Sequence, residues 1–231
     1  MKSMPSHSHT TCRNCHLALP PPFLSLGSQP PANALLDSPD QTAPSYSLNL
    51  VRCVRCGLTQ LDTVVDKEEL FSAYVYTPSQ SQTFRDHFRE LAAEVVHRFC
   101  GPAAKILDIA SNDGLLLSYF QEHGCYIQGV DPAEGIAAQA RERGIPTMTA
   151  FFSPELAATL PKFDVITATN VVAHVDQLGD FLDAVRAVLA PDGVFVIEVP
   201  YLPDMLESGA FDLIYAEHLS YWLLTTLYQA L

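Results

Sequence analysis

The stretch AAKILDIASNDG, residues 103–114, decides the fold. Ile106, Leu107 and Ile109 read as a buried strand, and the chain from Leu115 to His123 reads as a helix. A turn of small residues joins them. A strand that feeds a helix through such a turn is where an α/β sheet binds nucleotides, at the carboxyl ends of its strands. Asp108 stands near the strand end, and Ala110, Asn112 and Gly114 occupy alternate positions of the turn. Small side chains let a backbone approach a ligand, and Asn is one of the few non-glycine residues that tolerates a positive φ.

Two ligands compete for this turn. A dinucleotide needs G-x-G-x-x-G, whose glycines let a pyrophosphate rest on the helix N-terminus. Here there is one glycine, with an acid on either side of the turn, Asp108 and Asp113, which disfavours a phosphate. S-adenosylmethionine has no phosphate, and its sulfonium and ammonium groups welcome acids. D-x-A-x-N-x-G is similar to the methyltransferase turn D-x-G-x-G-x-G with two glycines replaced. A second strand, YIQGVD (126–131), ends in Asp131, about twenty residues after Asp108, where an acid takes both ribose hydroxyls of an adenosine moiety. Asp131 also suits a helix N-cap before Pro132, and the two roles are compatible. Asp131 and Pro132 are therefore grouped with the turn as cofactor residues.

Downstream, helical and strand patterns alternate: a helix over 132–143 closed by Gly144, strands over 145–151, 163–170 and 194–199, and an amphipathic helix over 177–189. This alternation predicts an α/β fold, a parallel Rossmann-like sheet with helices on both faces, and the turn after Asp108 makes it resemble the class I methyltransferase kind. Asn170 follows the fourth strand and is expected at the same rim, presenting backbone and amide to the methionine part of the cofactor. His174 either faces the substrate or caps a turn. After the fifth strand comes FDLIYAEHLSY (211–221), where Tyr215, Glu217 and His218 put a phenol, a carboxylate and an imidazole within four residues. Histidine is the side chain best poised for base work near neutral pH, and a carboxylate neighbour is expected to raise its pKa and orient it. Adjacent helical residues do not face each other, so Glu217 and His218 are expected to serve different partners.

Upstream, Cys12-Arg13-Asn14-Cys15 and Cys53-Val54-Arg55-Cys56 form two C-x-x-C knuckles. Each lets two thiolates reach one ion, and together they complete a closed tetrahedral S₄ site for structural Zn²⁺. Cys100 and Cys125 lie apart from them and read as packing residues. The zinc-ribbon-like module between the knuckles is proline-rich, with strand-like pieces at 23–26 and 46–51. The expected organisation is a disordered tail over 1–10 that carries His7 and His9, a zinc module over 11–65, connecting helices and a substrate loop over 66–100, and a cofactor domain over 101–231. In the connecting helix Phe84, Phe88, Leu91, Val95 and Phe99 form one apolar stripe, with Arg85, His87 and Arg89 on solvated faces. With 231 residues, 48% hydrophobic content and a net charge of −13, the chain suits one sizeable domain plus a small one. It shows no basic stripe for nucleic acid. With neither a membrane span nor a signal peptide in view, a cytoplasmic protein is expected.

The ordered set of both knuckles, YVYTPSQS, ILDIASNDG, GVDPA, NVVAHV, EVPYL and IYAEHLSY resembles the zinc-containing sugar C-methyltransferases over nearly the whole chain. The resemblance implies an S-adenosylmethionine-dependent C-methyltransferase acting on a nucleotide-linked 4-keto-deoxysugar, with Cys12, Cys15, Cys53 and Cys56 as zinc ligands. It implies His218 as base, with Glu217, Tyr215, His174 and Tyr76 around the substrate; Tyr74 is a near-equivalent choice for Tyr76. Arg85 or Arg89 is a candidate for the substrate pyrophosphate. The chain ends in the apolar run 223–231, so the last strands of such a sheet are expected to be missing, the fifth strand to be an edge, and the chain to be truncated. Methyl transfer to oxygen or nitrogen of a small molecule, or an inactive zinc-stabilised fragment, are the alternatives.

Overall fold

The computed structural model describes residues 6–33, 35, 36, 38, 40–72, 74 and 77–231. They form two compact units. One comprises 71–171 and 180–198, and the other 1–70, 172–179 and 199–231.

In chain order the strands are β1 (Ser6–Ser8), β2 (Leu24–Gln29), β3 (Tyr46–Arg52), β4 (Thr59–Leu61), β5 (Thr63–Val65), β6 (Lys105–Ile109), β7 (Tyr126–Asp131), β8 (Thr147–Thr149), β9 (Phe163–Thr169), β10 (Leu189–Glu198) and β11 (Ser220–Tyr221). The first-named unit holds a parallel five-stranded sheet in the order β10-β9-β6-β7-β8. Strand order reverses at β6, which pairs with β7 on one side and β9 on the other. That is the switch point at which α/β sheets bind ligands. Ile106, Leu107 and Val165 are fully buried, as both-faces-covered strands require.

The helix before the sheet, Gln82–Val95, starts at Ser81, whose hydroxyl accepts from the Phe84 amide. Phe88, Ala92 and Val95 join the sheet core. The apolar stripe does not continue to Phe99. Residues Val96–Cys100 form a π-helical turn, closed by the Gly101 amide on the Val96 carbonyl at 2.8 Å. The wider turn rotates Phe99 outward, and it is 45% exposed. The helix after β7 is Glu134–Glu142, later than expected from Pro132. The Asp131 carboxylate accepts from the Ala133 amide at 2.9 Å, so Pro132 sits in the capping turn. β10 begins earlier than expected. Its register shifts between Leu189 and Val194, so Pro191-Asp192-Gly193 is an irregularity inside the strand. β10 is an edge of this sheet and none of its residues is buried.

The other unit has a four-stranded antiparallel sheet, β11-β4-β3-β2, and a ribbon of β1 on β5. β3 alternates, with Tyr46, Leu48 and Leu50 buried and Ser47 exposed. Leu48 and Leu50 pack with Leu61, Met205 and Tyr221. Ser220 pairs with Gln60, and Tyr221 with Thr59. The segment after the fifth strand of the parallel sheet thus shares a core with the N-terminal module. Part of the expected tail is structured: Ser6–Ser8 pairs with Thr63–Val65, because β5 offers it an open backbone edge. Among the described residues no helix is long and apolar enough to cross a membrane.

Candidate active site

The turn after β6 places its ligand-facing residues by backbone conformation. Ala110, Asn112 and Gly114 have φ of 54°, 51° and 78°, so the three alternate positions are all left-handed. Gly114 must be glycine. A Cβ there would lie 2.9 Å from Ile145 Cγ2, in addition to the positive φ. Ala110 and Asn112 adopt the same conformation at a cost of about 1 kcal/mol or more for an ordinary residue. The Asn112 amide donates to Asp131 Oδ2 at 2.9 Å, which ties the turn to the end of β7. With the Ala133 amide on Oδ1, each Asp131 oxygen has one amide donor and retains acceptor capacity for a hydroxyl. Burial raises the Asp131 pKa.

Asp108 is 2% exposed and stands between Gly129 and Thr167 in the sheet register. It accepts the Thr167 hydroxyl at 2.6 Å, and burial pushes its pKa up to about 7. It lies beneath the turn, within the sheet. Ser111 Oγ is buried with no hydrogen-bond partner among the described residues, and it sits over Gly129, where a Cβ would come within 2.4 Å. A left-handed backbone cradle, a hydroxyl without a partner and buried acids in place of cations fit a cationic nucleoside better than a pyrophosphate. Asp113 is paired instead, its Oδ2 3.0 Å from Arg143 Nη1.

Asn170 follows β9 with φ 56°. Its amide donates to the Glu198 carbonyl at 2.8 Å and its side chain to Glu198 Oε1 at 3.2 Å. Glu198 Oε2 in turn meets His87 Nε2 at 2.5 Å. Nothing in the sequence signals this pair, because His87 lies on a helix far upstream of β10. Arg85 is engaged by the Ser79 carbonyl and Gln82 Oε1, and Arg89 by Asp86 and Tyr119. Tyr76 lies outside the described residues. Tyr74 tilts against Phe71, ring centroids 6.1 Å apart.

The other unit carries the remaining candidates. His218 Nδ1 contacts the Leu213 carbonyl at 2.8 Å. A carbonyl only accepts, so Nδ1 carries the proton and the Nε2 lone pair accepts the Tyr215 hydroxyl at 2.9 Å. The expected rise from a carboxylate neighbour does not occur: the Glu217 carboxylate bonds Asn33, and burial lowers the His218 pKa, which keeps the ring neutral. His174 stacks obliquely beside it, centroids 4.8 Å apart, and its Nδ1 donates to the Glu217 carbonyl at 2.7 Å. Glu217 is 1% exposed. Its carboxylate accepts from the Asn33 side chain at 2.7 Å and the Asn33 amide at 3.3 Å, while burial raises its pKa. The tyrosine and both histidines therefore meet, and Glu217 serves Asn33, a residue that the sequence did not single out.

In the same unit the four knuckle cysteines converge. Cys12 Sγ lies 3.6 Å from Cys56 Sγ, and Cys15 Sγ 3.4 Å from Cys53 Sγ. All four sulfurs lie within 4.8 Å of one another. Zinc–thiolate bonds of about 2.3 Å in a tetrahedron separate sulfurs by about 3.8 Å, so the set fits Zn²⁺. The knuckles share a backbone: His16 and Gly57, each just after its second cysteine, are both left-handed, and their amides donate to the Cys12 and Cys53 carbonyls. Gln60 Nε2 donates to Cys12 Sγ at 3.2 Å, while its Oε1 accepts from the amide and the guanidinium of Arg13. Such outer partners orient a metal ligand. Cys125 is buried and Cys100 half-buried beside the sheet core.

Comparison with known proteins distinguishes an N-terminal from a C-terminal region. Residues 84–231 match a family described as "Methyltransferase domain", and residues 12–71 one described as "Putative zinc binding domain". The C-methyltransferase NovU of Streptomyces niveus is 34% identical over 211 residues, 88% of this chain and 50% of that protein. A ubiquinone biosynthesis O-methyltransferase of Azorhizobium caulinodans is 34% identical over 124 residues, 52% of this chain and 48% of its own length. The chain spans about half the length of the curated relatives it matches. A SAM-dependent methyltransferase structure from Archaeoglobus fulgidus superimposes with a TM-score of 0.54 at 22% identity, over 62% of this chain and 65% of that one. The parallel sheet is thus of the Rossmann-like kind that takes S-adenosylmethionine, and the cysteine cluster belongs to a zinc-binding module.

Proposed function

This chain belongs to the methyltransferase-domain family, and from that premise we propose that it methylates a carbon of a nucleotide-linked keto-deoxysugar, with His218 as the base. The observation that carries the reading is the imidazole itself. It is buried, neutral, fixed in one tautomer by the Leu213 carbonyl, and its lone pair is held by a phenol. Methylation of an oxygen or nitrogen already nucleophilic needs no such base. Methylation of carbon does, because a C–H bond beside a ketone must first lose its proton. The resemblance to a C-methyltransferase over 88% of the chain supports the same acceptor.

The cofactor is assigned to Asp108, Ala110, Asn112, Gly114, Asp131, Pro132 and Asn170, and when bound it supplies an electrophilic sulfonium methyl. The ribose hydroxyls go to Asp131. His218 Nε2 takes the proton. The Tyr215 hydroxyl exchanges the imidazole for the ketone oxygen, which frees the base and holds the developing negative charge in one movement. His174 flanks the substrate, Glu217 braces the site through its bonds to Asn33, and Tyr76 completes the set. The zinc held by Cys12, Cys15, Cys53 and Cys56 is closed to substrate and structural.

The test is transfer of labelled methyl from S-adenosylmethionine to a nucleotide-linked 4-keto-deoxysugar. The label is expected in a carbon–methyl bond, and His218→Asn is expected to lower kcat by about 100-fold or more. Similarity to an O-methyltransferase over 52% of the chain favours a second reading, transfer to an oxygen. A His218→Asn variant that keeps most of the rate would select it.

A further inference from the structure

We propose that His7, His9 and Asp176 form a second divalent-cation site, for an ion of the zinc class, separate from the four cysteines. β1 pairs antiparallel with β5, and the His9 amide extends the pairing to the Asp62 carbonyl at 2.7 Å. Residues two apart on such a segment project to one side, so both imidazoles point the same way. They converge on one carboxylate. His9 Nε2 lies 2.7 Å from Asp176 Oδ1, and His7 Nε2 3.3 Å from Asp176 Oδ2. All three potential ligand atoms lie within 4.8 Å of one another.

Two imidazole nitrogens and one carboxylate oxygen are the donor set that zinc-class ions take, at bonds of about 2.0–2.2 Å. Donors around such an ion stand roughly 3.0–3.5 Å apart, so small side-chain rotations close the set. The carboxylate is already fixed. The fully buried Arg13 side chain donates from Nε to Oδ1 at 3.1 Å, which leaves Oδ2 for an ion once the exposed Gln177 amide, 3.1 Å away, turns aside. Side-chain exposure of 56% for His7, 17% for His9 and 19% for Asp176 places the set at the surface, where water fills the remaining coordination positions. Arg13 also carries a positive charge close to the ion. The site is therefore weaker than the all-thiolate one and empties first under a mild chelator. Without a metal the same groups are an ordinary hydrogen-bonded carboxylate, so the distinction is one of ion binding.

The experiment is isothermal titration of zinc into protein whose cysteine site is already loaded, with cobalt substitution as a parallel readout. A second, weaker equivalent is expected in the wild type. His7→Ala is expected to weaken it more than about tenfold, and His9→Ala to abolish it. The cobalt–thiolate absorption should persist in both variants, which shows that the module is folded. Uptake of the cysteine-site ion alone, or a second equivalent unchanged in both folded variants, would overturn the proposal.

Discussion

At the scale of single residues, burial tunes two groups in opposite directions. His218 sits below its ordinary value of 6.5 because its ring is desolvated. A base with a depressed pKa stays competent into mild acid. The acid limb of kcat/KM is therefore expected below pH 6.5, and a limb above that value would contradict the assignment. Asp108 behaves oppositely. Its folded pKa of about 7 stands above its ordinary 3.8, so the folded state binds more protons than the unfolded chain between those values. Stability present at low pH is lost as pH rises through about 7. Asp108→Asn removes that dependence. Thermal unfolding should show the variant gaining on the wild type as pH increases from 4 to 7, and parallel curves would show the acid to be unperturbed.

At the scale of elements, the strand–turn–helix at Asp108 was legible because its signals are local. A buried strand, small residues at alternate positions and a following apolar helix all lie within one short stretch. What the sequence expressed as a glycine motif with two replacements is in the structure one backbone conformation taken by three residues, Ala110, Asn112 and Gly114. Gly114→Ala adds a strained φ and a clash with Ile145, so it should cost about 2–4 kcal/mol in denaturant unfolding. A neutral result would mean that the turn can rearrange. The nearness of Tyr215, Glu217 and His218 was legible for the same local reason, since all three fall within four residues. The π-helical turn that moves Phe99 out of its stripe was not, since helical periodicity assumes uniform winding. Nor were the partners Asn33 for Glu217, Gln60 for Cys12 and His87 for Glu198, each brought in by pairing across long stretches of chain.

At the scale of the whole molecule, the segment carrying His218 shares its unit with the cysteine knuckles. Ser220 pairs with Gln60, Gln60 bonds Cys12, and Leu61 donates to the Leu219 carbonyl at 3.0 Å. Zinc binding is folding energy for a small loop-rich module, so removing the ion should reach the imidazole. Chelation strong enough to strip the thiolate site is expected to melt this unit and to broaden the His218 and His174 ring resonances. Unchanged resonances in fully zinc-free protein would separate the metal from the cluster. His218 is proposed to make a carbon nucleophile, and proton exchange tests this without methyl transfer. The protein is incubated in deuterium oxide with a nucleotide-linked 4-keto-deoxysugar and S-adenosylhomocysteine, and deuterium at the carbon beside the ketone is followed by mass spectrometry. Incorporation well above the spontaneous rate, lost in His218→Asn, is the predicted result. No incorporation by the wild type, or equal incorporation by the variant, would contradict it.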